Sequence, residues 1–252
     1  MKTEELLSFA LDIGEEMLLC GAEIHRVEEC IDRIGKAYRA QRTDVFAVNS
    51  VIIVTLVSEN GESATLTRRI RQSSVDLERL DRFNSLSREI CATRPEADWI
   101  REKIAALRVQ KTRYPQKIRF FAYLLIAFSF AMFFEGSWKE AVLSAAVAAL
   151  LYFFQRFQEK MAWNPLLVSL VSSFYMCVLS MLFARIFSQP VERIIIGNIM
   201  ILIPGVALTT SLRDMVVGDS ISGLLRFFEA CMSALAIAGG YWLACLVFGG
   251  AV

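Results

Sequence analysis

Charge is divided very unevenly along this chain of 252 residues. Residues 1–119 carry 20 Lys and Arg and 19 Asp and Glu, whereas residues 120–252 carry 7 and 7. The second half contains five uncharged runs, at 120–134, 141–155, 161–184, 194–212 and 230–252. A helix needs about 20 residues to cross a bilayer core, with a lower limit near 17. The charge distribution therefore predicts a globular N-terminal domain followed by a membrane domain.

The uncharged runs predict five transmembrane helices. The last three runs are long enough by themselves, and the first two reach the required length when Ile118 and Trp138 are included. The helices are predicted at about 118–135, 138–156, 161–185, 193–212 and 228–249. Residues 112–252 thus form an all-α bundle of five helices, joined through a short linker at 112–116 to a cytoplasmic domain at 1–111.

Lys and Arg in the short loops predict the orientation of the chain. Eight lie on the side of the N-terminal domain, and they are Lys111, Arg113, Lys117, Arg119, Arg156, Lys160, Arg213 and Arg226. Three lie on the opposite side, and they are Lys139, Arg185 and Arg193. Positively charged loops stay in the cytoplasm. We therefore expect a multi-pass protein of the plasma (inner) membrane, with a cytoplasmic N-terminal domain and, after five spans, a C-terminus outside.

The fourth run contains a helix-breaking pair, Pro204-Gly205. Pro204 cannot donate to the carbonyl of Met200, and its ring clashes with that carbonyl. A kink or break is therefore predicted, and transporters use broken helices at mid-membrane to bind anionic groups. An ordinary proline kink is the alternative. The candidate pathway residues in this run are Asn198, Pro204, Gly205 and Thr209.

The stretch after the fourth run mixes charges with apolar residues. Its ionisable residues are Arg213, Asp214, Asp219, Arg226 and Glu229. Ionisable groups at membrane depth are costly and are functional candidates by default. The acidic residues are candidates for carrying protons, and the two arginines are candidates for binding substrate carboxylates. A cytoplasmic surface turn is the competing interpretation.

The N-terminal domain is predicted to be α+β with the order ααββαα. Residues 3–20 and 24–38 repeat apolar residues at helical spacing. A β-branched stretch at 45–57 predicts one buried strand, or two with a break at Asn49-Ser50, and an Asn-Gly turn leads to a return strand at 64–70. Two further helices are predicted, one capped by Ser73 or Ser74 and running to about Cys91, and one at 95–110.

Few residues in this domain suggest chemistry. The candidates are His25, Arg26 and Glu28 after a helix break and Arg69 in a basic cluster at a strand end. His25 is the only histidine and the cysteines form no C-x-x-C pair, so we expect no zinc site, and no cofactor is predicted. A formal net charge of +1 argues against nucleic acid as a partner.

Several segments together resemble a known family. They are the helix start Gly21-Ala22-Glu23-Ile24-His25-Arg26-Val27-Glu28-Glu29, the strand with its Asn-Gly return, the helix containing Asn84-Ser85-Leu86-Ser87-Arg88, the Pro204-Gly205 break and the charged run at 213–230. Over roughly residues 5–250 this ensemble resembles the threonine/serine exporter family.

The resemblance implies a transporter subunit and not an enzyme. The fused form of that family has a second membrane unit, so this chain looks like the large subunit of the split branch, whose companion is a small membrane protein. In that branch the implied activity is export of succinate and related dicarboxylates. In the fused branch it is export of threonine and serine. Secondary transport driven by an ion gradient is implied in both.

Other functions stay open at this point. One is a membrane-anchored hydrolase that uses His25 with a nearby carboxylate, and another is a scaffold for a small channel-forming partner. Small residues in the second and fifth runs fit either packing within the chain or a partner surface. A homo-oligomer is also possible, but replacing the companion by a second copy requires insertion in both orientations, which the charge bias opposes.

Overall fold

The structure is a computed structural model that describes residues 2–71, 74–110, 114–161 and 163–248. The predicted cap Ser73, residues 112 and 113 of the predicted linker and the last four residues lie outside these ranges. The chain forms two compact units. The N-terminal unit comprises Met1–Arg113 with Thr210–Leu224, and the helical unit comprises Tyr114–Thr209 with Leu225–Val252.

In sequence order, the N-terminal unit consists of two helices, a small three-stranded sheet and two further helices. Its elements are α1 (Thr3–Leu19), α2 (Ile24–Ala37), β1 (Arg42–Val48), β2 (Val51–Val57), β3 (Ser63–Arg69), α3 (Leu77–Thr93) and α4 (Ala97–Val109). The strands form an antiparallel sheet in the order β1-β2-β3. The described residues therefore hold three strands and not the two of the predicted ααββαα order, because the chain turns at Asn49-Ser50.

Turn chemistry and alternating burial explain this sheet. Val48 pairs with Val51, so Asn49-Ser50 is a two-residue turn of the kind that joins antiparallel strands. Gly61 has a φ of 79°, which a residue without a side chain adopts readily. Ile52, Val54 and Leu56 alternate along β2 and are buried, so one face of the sheet lies on the core.

The core of this unit is built around α1. Leu7 and Leu11 lie on one face of α1, Phe9 and Ile13 lie on the opposite face, and all four are buried, because α1 packs on β2, β3 and the other three helices of this unit. The N-terminus of α3 is capped by Asp76, whose carboxylate accepts from the N–H of Arg79 at 3.0 Å. The predicted cap Ser74 instead donates its backbone N–H to Leu19 O at 2.9 Å.

Six further helices complete the described chain. They are α5 (Gln116–Phe133), α6 (Trp138–Met161), α7 (Pro165–Phe187), α8 (Val191–Leu202), α9 (Gly205–Val217) and α10 (Ser220–Phe248). Among the described residues, α5, α6, α7 and α10 are each long and apolar enough to cross a membrane. Helices α8 and α9 would make a fifth span together, bent by 53°. The sequence predicts the last helix from about 228, whereas α10 begins at Ser220.

Small residues allow close packing inside the helical unit. Ser144 on α6 is fully buried, and Gly240 on α10 lies against the backbone of α7. A Cβ added at Gly240 would stand 2.8 Å from the backbone N of Phe174, whereas one added at Gly239 would meet nothing within 4 Å. Ser144 and Gly240 therefore serve packing within the chain, which is one of the two roles that the sequence predicts for the small residues.

Candidate functional site

The stretch Thr210–Leu224 folds with the N-terminal unit, although the chain reaches it only after α8. It comprises the end of α9, a turn and the start of α10. Its polar groups meet the start of α2 and the turn between β1 and β2. We call this group of residues the α2 cluster, and it consists of Glu23, His25, Glu28, Asn49, Arg213, Asp214, Asp219 and Ser222.

Asp219 caps α2 from a distant part of the sequence. Its carboxylate accepts a hydrogen bond from the backbone N–H of His25 at 3.1 Å. The residue at the N-cap position, Glu23, makes no side-chain capping bond, and the first turn of α2 holds no acidic residue. A helix N-terminus has unpaired N–H groups and a partial positive charge, both of which favour a carboxylate. Asp219 therefore supplies the capping acceptor that residues next to the start of α2 do not provide.

A tight turn presents Asp219. Gly218 has a φ of 113°, and the N–H of Asp219 donates to Asp214 O at 2.9 Å. Gly223 then lets α10 start close to α9, because a Cβ there would stand 2.6 Å from Met215 Cγ and 2.8 Å from Ser211 O. The turn is therefore fixed by its backbone.

Arg213 pairs with Glu23. Arg213 Nη1 lies 2.8 Å from Glu23 Oε1, with side-chain exposures of 62% and 13%. Nδ1 of His25 lies 3.7 Å from the other carboxylate oxygen of Glu23. The guanidinium is therefore open to a second anion, whereas the carboxylate is largely enclosed.

Glu28 is a half-buried member of the same cluster. Its carboxylate accepts from the backbone N–H of Ala47 on β1 at 2.8 Å. Burial raises the pKa of Glu28, the Ala47 hydrogen bond lowers it, and the nearby Asp219 raises it again, with a net upward direction. A carboxyl group with a raised pKa is a candidate for holding a proton.

Asn49 ties the sheet to α10. Its side-chain nitrogen donates to Ser222 O at 3.1 Å, and its side-chain oxygen is buried with no hydrogen-bond partner among the described residues. Asp214 and Ser211 are also buried, at 1% and 0% exposure. Sequence reasoning finds Asp214, Asp219, His25 and Glu28 but misses the partners Glu23, Asn49 and Ser222, since no spacing rule links them to α9 and α10.

Asn198 belongs to the helical unit and is fully buried there. Its side-chain nitrogen donates to Ser144 O at 3.1 Å, to Ser144 Oγ at 2.9 Å and to Ile194 O at 2.9 Å. The adjacent Gly197 lets α8 approach α5, because a Cβ there would stand 2.6 Å from Ala127 O. These contacts join α6 and α8 and give Asn198 a packing role.

The helix break predicted at Pro204-Gly205 is present. Helix α8 ends at Leu202 and α9 begins at Gly205, whose N–H donates to Ile203 O at 2.8 Å. A Cβ on Gly205 would meet nothing within 4 Å. Thr209 is exposed, and its hydroxyl donates to Gly205 O at 3.1 Å and to Val206 O at 3.0 Å.

The remaining candidates lie outside the α2 cluster. Arg26 is exposed on α2 and faces a separate pocket, and Arg69 is exposed at the end of β3. Glu229 is exposed and Arg226 is half-buried on the part of α10 that belongs to the helical unit. Three of the nine pathway candidates thus lie within Thr210–Leu224, and two of these, Arg213 and Asp219, make direct contacts with residues at the start of α2.

The described residues hold no group of three or more His, Cys, Asp or Glu side chains placed to bind a metal ion. A cavity of about 540 Å³ lies at the α7–α8 connection of the helical unit, with Arg185 and Glu192 among its lining residues. It contains none of the candidate residues from the sequence. We therefore regard the α2 cluster as the candidate functional site.

These features define a polytopic membrane protein in which ionisable groups gather at the end of a bent pair of apolar helices. A family model described as "Putative threonine/serine exporter" (ThrE) matches residues 8–248. The chain therefore belongs to the threonine/serine exporter family and is a membrane exporter of that family.

Curated relatives carry two different names. The chain is 23% identical to the "Probable threonine/serine exporter" of Mycobacterium tuberculosis, over 95% of the chain and 46% of that relative, so it spans about half of the relative's length. It is 23% identical to the "Probable succinate transporter subunit YjjP" of Klebsiella aerogenes, over 92% and 90% of the two chains. The protein of the same name in Escherichia coli K12 is 22% identical, over 99% and 98%. No solved structure matches the chain.

Proposed function

We propose that the chain is the integral membrane subunit of a secondary exporter of small carboxylates, such as the C4 dicarboxylate succinate. The observation that carries this proposal is the α2 cluster, in which a solvent-exposed arginine pairs with a largely buried glutamate at the end of a broken span. Two relatives matched over nearly their full length are named succinate transporter subunits, which supports the substrate class.

Arg213 is the proposed contact for the carboxylate of the solute. Its guanidinium presents several N–H donors in a planar fork that suits bidentate binding of a carboxylate. Glu23 occupies that guanidinium in the present arrangement at 2.8 Å. A solute carboxylate therefore competes with Glu23 for Arg213.

Proton binding offers a way to decide this competition. Glu23, Glu28, Asp214 and Asp219 contribute four carboxyl groups to the cluster, and Arg213 is its one side chain with a permanent positive charge. A proton held on Glu28, whose pKa is raised by burial, removes one negative charge from the cluster and so favours binding of the solute anion at Arg213. We therefore propose that export is coupled to protons through Glu28.

A partner and an orientation belong to the same proposal. We propose a small membrane protein of the same family as the companion, supported by the word subunit in the names of two relatives. We also propose that the N-terminal unit faces the cytoplasm, supported by the eight-to-three distribution of Lys and Arg. The α2 cluster then meets the solute before it crosses the membrane.

An amino-acid exporter is the second candidate. The excess of carboxyl groups over cations in the α2 cluster favours a solute that carries an ammonium group, and threonine carries both an ammonium and a carboxylate. The relative from Mycobacterium tuberculosis carries the corresponding name. A direct comparison of succinate with threonine separates the two candidates.

The experiment uses inside-out vesicles that contain the chain together with its companion, loaded by uptake of labelled solute. We expect succinate uptake to depend on a proton gradient and to fall about tenfold or more in Arg213→Gln and Asp219→Asn. Arg42→Gln is the control, because the Arg42 side chain is exposed and pairs with Asp44 on the same strand, outside the α2 cluster. Normal uptake in both cluster variants would exclude the α2 cluster from the transport path, and uptake of threonine without succinate would favour the second candidate.

A further inference from the structure

The sheet of the N-terminal unit has one face on the core and one face that points away from it. Ile52, Val54 and Leu56 are buried on the core face, so the residues between them on β2 and the partners of these residues on β1 and β3 point outward. We call this second side the outer face of the sheet. The residues of the outer face that the argument uses are Phe46, Val51, Ile53, Val57 and Thr67.

Strand β2 is apolar on both faces. Val51, Ile53 and Val57 lie on the outer face and alternate with the buried residues of the core face. A sheet with one face in water normally alternates apolar with polar residues, whereas a strand covered on both faces reads as a nearly continuous apolar run. The sequence of β2 is therefore typical of a strand with both faces covered.

The outer face is nevertheless open in the single chain. Phe46 is 53% exposed and Ile53 is 37% exposed. These two residues pair directly across β1 and β2, and Thr67 on β3 completes the same row. Apolar residues that are exposed singly are normal, whereas contiguous exposed apolar residues mark an interaction surface. The covering that the sequence of β2 predicts must therefore come from outside the described chain.

The size of the outer face limits the kind of partner. Three strands of seven residues make a face of about 24 Å by 14 Å, or on the order of 300 Å² per copy. Two such faces bury well under the roughly 1,200 Å² at which stable complexes of soluble proteins begin. A partner that diffuses freely in water would therefore bind weakly. A partner held in the same membrane is present at a high effective concentration, which compensates for a small contact.

The outer face is complementary to a second copy of itself. Two sheets pack about 10 Å apart with their strands nearly aligned. A two-fold axis parallel to the strands places the central strand β2 on β2 of the second copy, and β1 on β3. Ile53 then meets Ile53 of the second copy, and the large Phe46 meets the smaller Thr67 on both sides of the axis.

We propose that the outer face joins two copies of this chain, held in one membrane, as a symmetric dimer with Ile53 at the two-fold axis. The charged residues of the face, Arg42, Asp44 and Arg69, lie on the two edge strands. An apolar centre with a polar rim is the usual anatomy of a protein interface. Both copies have the same orientation in the membrane, so the dimer does not replace the companion.

The first test is oxidative cross-linking in membranes that contain the full chain. Ile53→Cys brings one thiol from each copy to the axis, so we expect at least about tenfold more of a reducible species of twice the chain mass than in the control. Asp98→Cys is the matched control, because Asp98 is exposed at the start of α4, away from the sheet. The unmodified chain measures the background from its six natural cysteines.

The second test places charges at the axis and measures energy transfer between donor-labelled and acceptor-labelled chains in liposomes. Ile53→Lys and Ile53→Asp should each weaken association at least about tenfold, because two like charges meet. A mixture of the two variants should associate within about threefold of the unmodified chain, because lysine then meets aspartate. Asp98→Lys should stay within about twofold. Exchange of the Ala47 amide shows that the sheet is intact in each variant.

The outcomes distinguish a second copy from other occupants. Association that survives in Ile53→Lys, or that the mixture with Ile53→Asp does not restore, would overturn the dimer. Cross-linking of Ile53→Cys to the companion in preference to a second copy, when both are present, would assign the outer face to the companion and would also overturn it. No solute or gradient is used, so the result does not depend on what the chain exports.

Discussion

The carboxylate of Asp219 accepts a hydrogen bond from the backbone N–H of His25 at 3.1 Å, across 194 residues of sequence. The contact replaces a cap that α2 lacks in its own sequence. It also fixes the turn after α9 on the helix that carries Glu23 and Glu28. Through this bond a residue that follows the broken span stabilises the first elements of the chain.

Substitutions at Asp219 separate its capping role from its charge. We expect Asp219→Ala to lower the stability of the first turn of α2 by about 1 kcal/mol, because a helix loses a capping acceptor. Asp219→Asn keeps an oxygen acceptor and should lose less. Hydrogen exchange of the peptides that cover residues 21–30 measures the difference. Equal exchange in the unmodified chain and in Asp219→Ala would contradict the capping role.

The pair of Arg213 and Glu23 is suited to a double-mutant cycle. Because the Arg213 side chain is 62% exposed, we expect a coupling in stability of at most about 1 kcal/mol between Arg213→Gln and Glu23→Gln. In transport, Arg213→Gln should lose activity, whereas Glu23→Gln should bind the solute anion more tightly, because no carboxylate then competes for Arg213. Solute binding that is unchanged in Arg213→Gln would argue against the proposed carboxylate contact.

Glu28 should make the stability of the N-terminal unit depend on pH. Burial raises the pKa of Glu28, so the folded state keeps a proton that the unfolded chain has released. This contribution is complete below the ordinary glutamate pKa near 4.5 and is lost as pH rises through the raised pKa. We therefore expect the unmodified chain to lose stability relative to Glu28→Gln as pH rises from 4.5 toward neutrality.

Exchange of the Ala47 amide, which donates to Glu28, reports this effect in the two chains at each pH. Glu59→Gln, in an exposed turn, is the control and should follow the unmodified chain. A constant difference between Glu28→Gln and the unmodified chain across this range would contradict the raised pKa.

His25 contributes its backbone N–H to the α2 cluster, whereas a hydrolase would use its imidazole. A substitution that removes only the imidazole therefore distinguishes transport from hydrolysis. His25→Ala keeps the N–H that Asp219 accepts from, so we expect transport within about twofold of the unmodified chain and an intact α2. A hydrolase that uses the imidazole as a base would lose about 100-fold or more in the same variant. Parallel measurement of transport and of α2 exchange in this one variant decides between the two.

Two adjacent glycines in α10 provide a matched pair for packing. Gly240→Ala places a methyl group against the backbone of α7, including Phe174 N at 2.8 Å, and should cost about 1–3 kcal/mol. Gly239→Ala meets nothing within 4 Å and should be neutral or slightly stabilising. Thermal unfolding of the two variants in the same detergent provides the comparison. Equal melting temperatures would show that α7 and α10 are not packed closely at this point.

Local patterns allow much of this fold to be predicted from the sequence. Apolar spacing locates α1 and α2, and the Asn-Gly pair marks the turn before β3, because these signals act within a few residues. The sequence leaves open whether 45–57 is one strand or two with a break at Asn49-Ser50, because β-branched residues continue on both sides of that pair; the structure has the two-strand form. Residue preference for the N-cap position also does not decide between Ser74 and Asp76, because serine and aspartate both cap helices well.

The candidate site is only half predictable for a related reason. Charged residues within an apolar stretch identify Arg213, Asp214 and Asp219 as candidates. The break between the first two helices identifies His25 and Glu28. Nothing in their spacing predicts that these two groups meet, since a contact between residues 194 apart in sequence depends on the whole fold. Asn49 and Glu23 resemble ordinary turn and helix-start residues until α9 and α10 are in place.

The most direct test of the central claim is counterflow of labelled succinate in proteoliposomes that contain the chain and its companion. We expect unlabelled succinate inside the vesicles to drive uptake of the label in the unmodified chain and in Arg42→Gln. Uptake should be at background in Arg213→Gln, with an unchanged amount of inserted protein. Full counterflow in Arg213→Gln, or none for any small carboxylate in the unmodified chain, would contradict the account.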